Sequence, residues 1–404
     1  MSSQSKTVST AIKQILLAST VSTAMVASQS VMADSFTEAL TGGKASVNLN
    51  VRYESVDQDG VDDASALTER IRVGYETGSY EGFKAFVEFS GSESLGKRED
   101  YRVPAGSDAN AGSSKAVIAD PVVNRLNQAN IAYAFGKSVA KVGKQRIVWD
   151  NRYLGNVGWR QTEQVYTAAA LHFNEIENLK ASLAYISEVD NIFGVKTPVH
   201  AHAIKLDTDI IDGVNLTGYG YFIDTRKSAS DSQTIGVRAT GKAAISDSMG
   251  FNYLLETAKQ SDYADSDGVD ADYTHIKAGM SVSGINFAIA QETLGGDGTY
   301  SFQTPLATKH AYNGWADKFL STPAAGLVDT YAQIGTKLDG YKLAATFHQF
   351  EADKGGAKYG DELDIVLAKK FTKNYSAGVK LANYKADEHA TDTNKVWLWG
   401  TVKF

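Results

Sequence analysis

Arg70 and Arg72 stand two positions apart, and so do His200 and His202, so in an extended chain each pair shares one face. Neighbouring guanidinium groups offer bidentate hydrogen bonds to carboxylates or phosphates. Two imidazoles on one face make half a metal site, but no third ligand follows at a usable spacing. The seven histidines (172, 200, 202, 275, 310, 348 and 389) accompany neither a G-x-S-x-G elbow nor an H-E-x-x-H helix. Two acidic runs, Asp57, Asp59, Asp62 and Asp63, then Asp262, Asp265, Asp267, Asp270 and Asp272, lack the spacing and final glutamate of an EF-hand loop. They read as solvated loop charge, with divalent bridging to lipopolysaccharide as the functional alternative. No cofactor and no metal are expected.

The elements that would hold these groups follow from the period of the chain. From residue 45 onward, eighteen segments of about ten residues alternate apolar and polar positions. They span 45 to 54, 67 to 77, 82 to 91, 126 to 136, 139 to 149, 162 to 173, 178 to 187, 199 to 207, 214 to 223, 233 to 242, 249 to 258, 273 to 283, 285 to 294, 328 to 338, 341 to 351, 361 to 371, 375 to 384 and 395 to 404. Ala45, Val47, Leu49, Val51 and Tyr53, for example, alternate with Ser46, Asn48, Asn50, Arg52 and Glu54. Either parity is defensible for 139 to 149 and 199 to 207. The connections alternate as well. Short turns such as Asp339-Gly340 and Ser283-Gly284 follow even strands, and longer polar loops follow odd ones.

That rhythm implies an all-β fold: a transmembrane antiparallel up-and-down β-barrel of about eighteen strands, with short periplasmic turns and long extracellular loops. A soluble propeller would show a blade repeat near 40 residues, and none is visible. Tyr53, Tyr75, Phe83, Phe89, Phe135, Phe173, Phe251, Phe371, Tyr375 and Phe404 sit near strand ends, as interfacial girdles require. The chain closes on the strand Lys395 to Phe404, and a terminal phenylalanine resembles the assembly signal of Gram-negative outer-membrane barrels.

Met1 to Ala33 has two lysines, an apolar stretch and the small-residue exit Val31-Met32-Ala33, which reads as a secretory signal peptide. Residues 34 to 404 form one barrel domain. Removing the leader takes the formal charge from −7 to −9, so nucleic acid is not an expected partner. Zero cysteines exclude a disulfide framework. The mean hydropathy of −0.25 is no argument against a membrane barrel, whose faces average out.

The segment Gly143 to Gln161, GKQRIVWDNRYLGNVGWRQ, followed by TEQVYTAA at Thr162 to Ala169, resembles a signature of the alginate-export family of outer-membrane channels. The resemblance implies a passive channel for polar or anionic solutes, such as a uronate-type sugar.

The inferred inward faces supply Arg52, Arg70, Arg72, Lys84 and Lys380 as a basic ladder, with Arg238, Lys277, Lys342 and His348 farther round. The family-like segment adds Lys144, Arg146, Arg152 and Arg160. Such charges attract phosphate- or carboxylate-bearing solutes. The alternative is a lumen whose charges neutralise one another, since Glu54, Glu76, Glu88, Glu256, Glu292, Glu362 and Asp364 also face inward. Loop residues Asp150, Asn151 and Trp159 are expected to narrow the passage, and the loops 92 to 125 and 295 to 327 to act as lid or plug.

The expected function is therefore diffusion of small polar or anionic solutes, such as sugars or organic acids, through an outer-membrane porin. Lipid and lipopolysaccharide surround it, as monomer or homotrimer. An export conduit or scaffold for a polysaccharide or secreted partner, and a barrel hydrolase, are the other readings.

Overall fold

In a computed structural model, residues 35–106, 112–226 and 231–404 are described. The expected signal peptide lies outside them. After a short helix α1 (Phe36–Thr41), eighteen strands follow. They are β1 (Lys44–Gln58), β2 (Ala64–Glu76), β3 (Phe83–Ser94), β4 (Val123–Phe135), β5 (Ser138–Gln145), β6 (Val165–Ile176), β7 (Leu179–Asp190), β8 (Lys196–Ile211) and β9 (Val214–Asp224). The second half is β10 (Ser232–Ser246), β11 (Met249–Ser261), β12 (Asp270–Val282), β13 (Ile285–Leu294), β14 (Leu327–Leu338), β15 (Tyr341–Glu351), β16 (Lys358–Lys370), β17 (Tyr375–Ala386) and β18 (Thr393–Lys403).

Each strand pairs antiparallel with its sequence neighbours, and β1 pairs with β18 from Asn48↔Lys403 to Gln58↔Thr393. The sheet therefore closes on itself and leaves no backbone edge, which is what a strand fold in hydrocarbon requires. Alternation decides which residues face where. Val142, Ile289 and Leu338 are 62%, 68% and 69% exposed, while inward neighbours such as Glu54, Asp364 and Glu362 are buried. Large apolar side chains exposed on every side form a lipid-facing belt.

Aromatic rings gather at the lower rim. Phe83 packs on Tyr133 at 4.5 Å, Tyr375 meets the terminal Phe404 edge-on at 6.1 Å, and the Lys369 ammonium lies 3.8 Å over Tyr341. The turn Asp339-Gly340 carries φ of 49° and 79°, the paired positive values of a type I′ hairpin.

Most strands run two to four residues past the expected upper ends, because hydrogen-bonded pairing continues above the belt where both faces are polar. The fifth and sixth strands fall short instead: β5 stops at Gln145 and β6 begins only at Val165, because Arg146 onward turns into the barrel. Nine upper connections follow the odd strands. Three of them matter below: L2 (95 to 122), L3 (146 to 164) and L7 (295 to 326).

Candidate functional site

L3 carries Tyr153 and Leu154 into the interior, where both are buried. Tyr153 packs on Tyr219 and Tyr221 at 4.8 and 5.2 Å, and its ring meets Phe302 of L7 edge-on at 6.3 Å. Burial of these rings replaces water that would otherwise fill the upper lumen. Backbone hydrogen bonds then tie L3 to L7: Gly155 N–H to Leu306 C=O at 2.9 Å, and Thr308 N–H to Asn151 C=O at 2.8 Å. Val157 sits at φ 50°, a conformation β-branched residues avoid, and its N–H donates to Thr308 Oγ1 at 3.0 Å. The expected inward fold of Asp150, Asn151 and Trp159 is therefore where the loop lies, with L7 joined to it.

The inner wall from β1 to β5 is basic, and most of its cations are paired. Arg52 bonds Asp120 of L2 and the Trp159 carbonyl. Arg160 reaches Glu54 at 2.8 Å, Asp317 at 3.3 Å and Asp120 at 3.5 Å. Arg72 lies 3.3 Å from Glu163, which Arg146 also holds, its Nε at 2.6 Å. Arg125, missed in the sequence reading, pairs with Asp190 at 2.5 Å, and so does Lys144.

Among the described residues, eight of the twelve expected lining cations lie within salt-bridge distance of a carboxylate. Besides Arg52, Arg72, Lys144, Arg146 and Arg160 these are Lys84 with Glu76 (3.4 Å), Arg152 with Glu292 (2.9 Å) and Arg238 with Glu256 (3.8 Å). The other four are bonded differently. Arg70 donates to Asn48 at 2.6 Å, Lys277 to Gln333 at 2.6 Å, Lys342 is exposed, and Lys380 meets His310.

Four of the carboxylates that do this pairing, Asp120, Asp150, Glu163 and Asp317, come from loops, and the others from strands. Burial acts to raise the Asp120 carboxyl, yet Arg52 and Arg160 beside it hold it below its ordinary range. Glu163 behaves the same way: burial would raise it, and Arg72 with Arg146 overcome that. Burial pushes the His310 imidazole down to about 3; Asp317 opposes this and Lys380 reinforces it. His310 is therefore neutral in the folded protein, with its Nδ1–H on Asp317 at 2.6 Å.

The opposite wall is acidic. Glu292 of β13, Asp329 of β14 and Glu362 and Asp364 of β16 are at most 2% exposed, and L7 caps them with donors. Asn313 Nδ2 reaches Glu292 at 2.7 Å and Asp329 at 3.2 Å, Ala316 N–H reaches Glu362 at 2.7 Å, and Trp315 N–H reaches Asp364 at 3.1 Å. His348 bonds Asp329 at 2.8 Å. His200 and His202 face outward on β8 beside Tyr185, so they share a face as expected but not with the lumen.

Burial changes what the expected lining residues do. Arg52, Arg152 and Arg160 are 2%, 4% and 6% exposed, so their charges are spent inside the loop packing. Arg146, by contrast, keeps a third of its side chain open. The partners Asp120, Glu163, His310 and Asp317 carried no signal in the sequence, because loop positions have no period from which a direction can be read.

No known family pattern matches the chain, and no curated protein matches it by sequence. Solved structures do match in shape. Acinetobacter baumannii OccAB2 is 15% identical with a TM-score of 0.73, covering 91% of this chain and 99% of its own. Pseudomonas aeruginosa OccD3 (OpdP) is 13% identical with a TM-score of 0.71, covering 93% and 94%. Pseudomonas aeruginosa OpdK, solved with vanillate, is 11% identical with a TM-score of 0.72, covering 90% and 99%. The fold is shared with these eighteen-strand barrels.

Proposed function

We propose that this protein is an outer-membrane porin through which small organic anions diffuse passively. The observation that carries the reading is the closed barrel, apolar over its outer belt and charged within, since only a hydrated interior suits such a lining. Passage is electrodiffusion along fixed charge, with no chemical step. The surroundings are outer-membrane lipid and lipopolysaccharide.

Anion preference rests on Arg70, with Arg72 beside it already paired with Glu163. Arg70 has no carboxylate within salt-bridge distance among the described residues, and the Nε–H of both arginines is buried without a hydrogen-bond partner. A carboxylate passing along this wall would be drawn by the Arg70 charge, which no fixed carboxylate balances at contact distance among the described residues. Arg146, Lys84 and Lys277 extend the basic path, and L3 with L7 narrows it. The barrel fold of an OpdK solved with vanillate supports aromatic carboxylates as the first solutes to try. Likeness to the alginate-export family rests on Gly143 to Ala169 alone, so uronates belong in the same panel.

The test is a planar bilayer recording in a salt gradient. The reading expects ionic conductance, a reversal potential on the anion side, and a block or a permeability ratio that favours carboxylates over neutral sugars. Cation preference that Arg70→Ala leaves unchanged would remove the anion assignment, and absence of conductance would remove the pore.

A further inference from the structure

Three indole rings enclose the ammonium of Lys380. Its Nζ lies 4.0 Å from the centroid of Trp315, 4.1 Å from Trp159 and 4.9 Å from Trp397. The same atom donates to His310 Nε2 at 2.6 Å, and the residue is 5% exposed. His310 stacks on Trp159 with 5.4 Å between centroids and 9° between planes. Its other nitrogen binds Asp317, which Lys395 of β18 meets at 2.8 Å.

The four contacts come from three separate parts of the chain: Trp159 from L3, Trp315 and His310 from L7, Trp397 from β18. An ammonium withdrawn from water needs substitutes for its hydration. The negative faces of indole rings and one imidazole lone pair are such substitutes. A selectivity charge would have to face the solute. This one faces three rings that close over it, and it touches both loops that cross the lumen.

We propose that Lys380 is the pin that fastens L3 and L7 to the barrel wall, a positioning residue for the constriction and not a charge that solutes meet. The conductance part of this proposal rests on the porin reading; the loop docking does not.

The chain has no cysteine, so a single Ala316→Cys reports L7 alone. Ala316 is 2% exposed and docked on Glu362. With a water-soluble maleimide, Lys380→Met in the Ala316→Cys background is expected to label roughly tenfold faster than Ala316→Cys alone, the scale of losing a desolvated ammonium from aromatic faces. In bilayers Lys380→Met is expected to add sub-level flicker while the reversal potential stays as in the parent. Equal labelling rates, or a reversal potential displaced as far as by Arg70→Ala, would overturn the proposal. Trp315→Leu is the second variant, because it opens the cage and keeps the ammonium. It too should speed labelling, and unchanged labelling there would count against the pin. A barrel that never conducts would end the porin reading, while labelling still decides on Lys380.

Discussion

Arg160 of L3 and Glu54 of β1 meet at 2.8 Å across 106 positions of sequence, both almost wholly buried. The contact anchors an inward-folded loop to the wall, and it takes place in a medium that screens charge poorly. Arg52 shares the same carboxylate at 3.9 Å.

Glu54→Ala removes a carboxylate that two buried guanidinium groups share, although Arg160 keeps Asp317 and Asp120 and Arg52 keeps Asp120. Leaving a buried charge wholly unpaired typically costs about 3–5 kcal/mol, and with these partners retained the loss falls below that range. Glu54→Ala should lower the urea midpoint by a corresponding amount, with Glu54→Gln in between because it retains hydrogen bonds. A midpoint equal to that of the parent would show that the pair is dispensable.

Arg70→Ala should move the reversal potential toward cations with little change in stability, since this arginine gives up only the bond to Asn48. Arg152→Ala should do the reverse: little effect on selectivity, but a clear loss of stability, because buried Glu292 keeps hydrogen bonds from Asn313 and Tyr273 and loses its guanidinium partner. Salt-gradient recordings and urea titrations on the two variants separate the roles, and similar profiles for both would contradict the division between lining and anchoring cations.

Acid should loosen L7. The folded His310 titrates at about 3, below the ordinary 6.5, so the undocked loop binds the extra proton and docking weakens as pH falls from 6.5 toward 3. The neighbouring charges are Asp317, Lys380 and Arg160. Asp317 is held well below 3.8; burial would raise it, but His310, Lys395 and Arg160 prevail. Its contribution is therefore intact above 3.8 and lost below, in the same direction. Maleimide labelling of Ala316→Cys should accelerate from pH 6.5 downward, and His310→Gln should flatten the profile above pH 4. A flat profile in the parent would contradict this.

Gly314 holds φ at 82°, and a Cβ there would stand 2.3 Å from Glu362 Oε2. Left-handed backbone alone costs an ordinary residue about 1–2 kcal/mol. Gly314→Ala should undock the L7 tip and raise open-channel noise in single-channel records while the barrel still folds. Noise at the parent level would mean that the tip tolerates the methyl group.

The barrel was legible because its information is local and periodic. Leu49, Val51 and Tyr53 must face lipid if Arg52 and Glu54 face water, and repeating that pattern eighteen times leaves one closed sheet. Turn chemistry at Asp339-Gly340 and the alternation of short and long connections fixed the orientation. The inward direction of Arg52, Arg70 and Arg72 came from the same period. What those inward groups do was decided only by the tertiary structure. Asp120, Glu163, His310 and Asp317 lie in loops whose direction no period encodes, and they reach their partners across tens to hundreds of positions. A charge on an inner face has the same sequence signature whether water or a buried carboxylate stands opposite. Burial separates the two outcomes, and burial here is set by how L3 and L7 pack into the space the strands enclose.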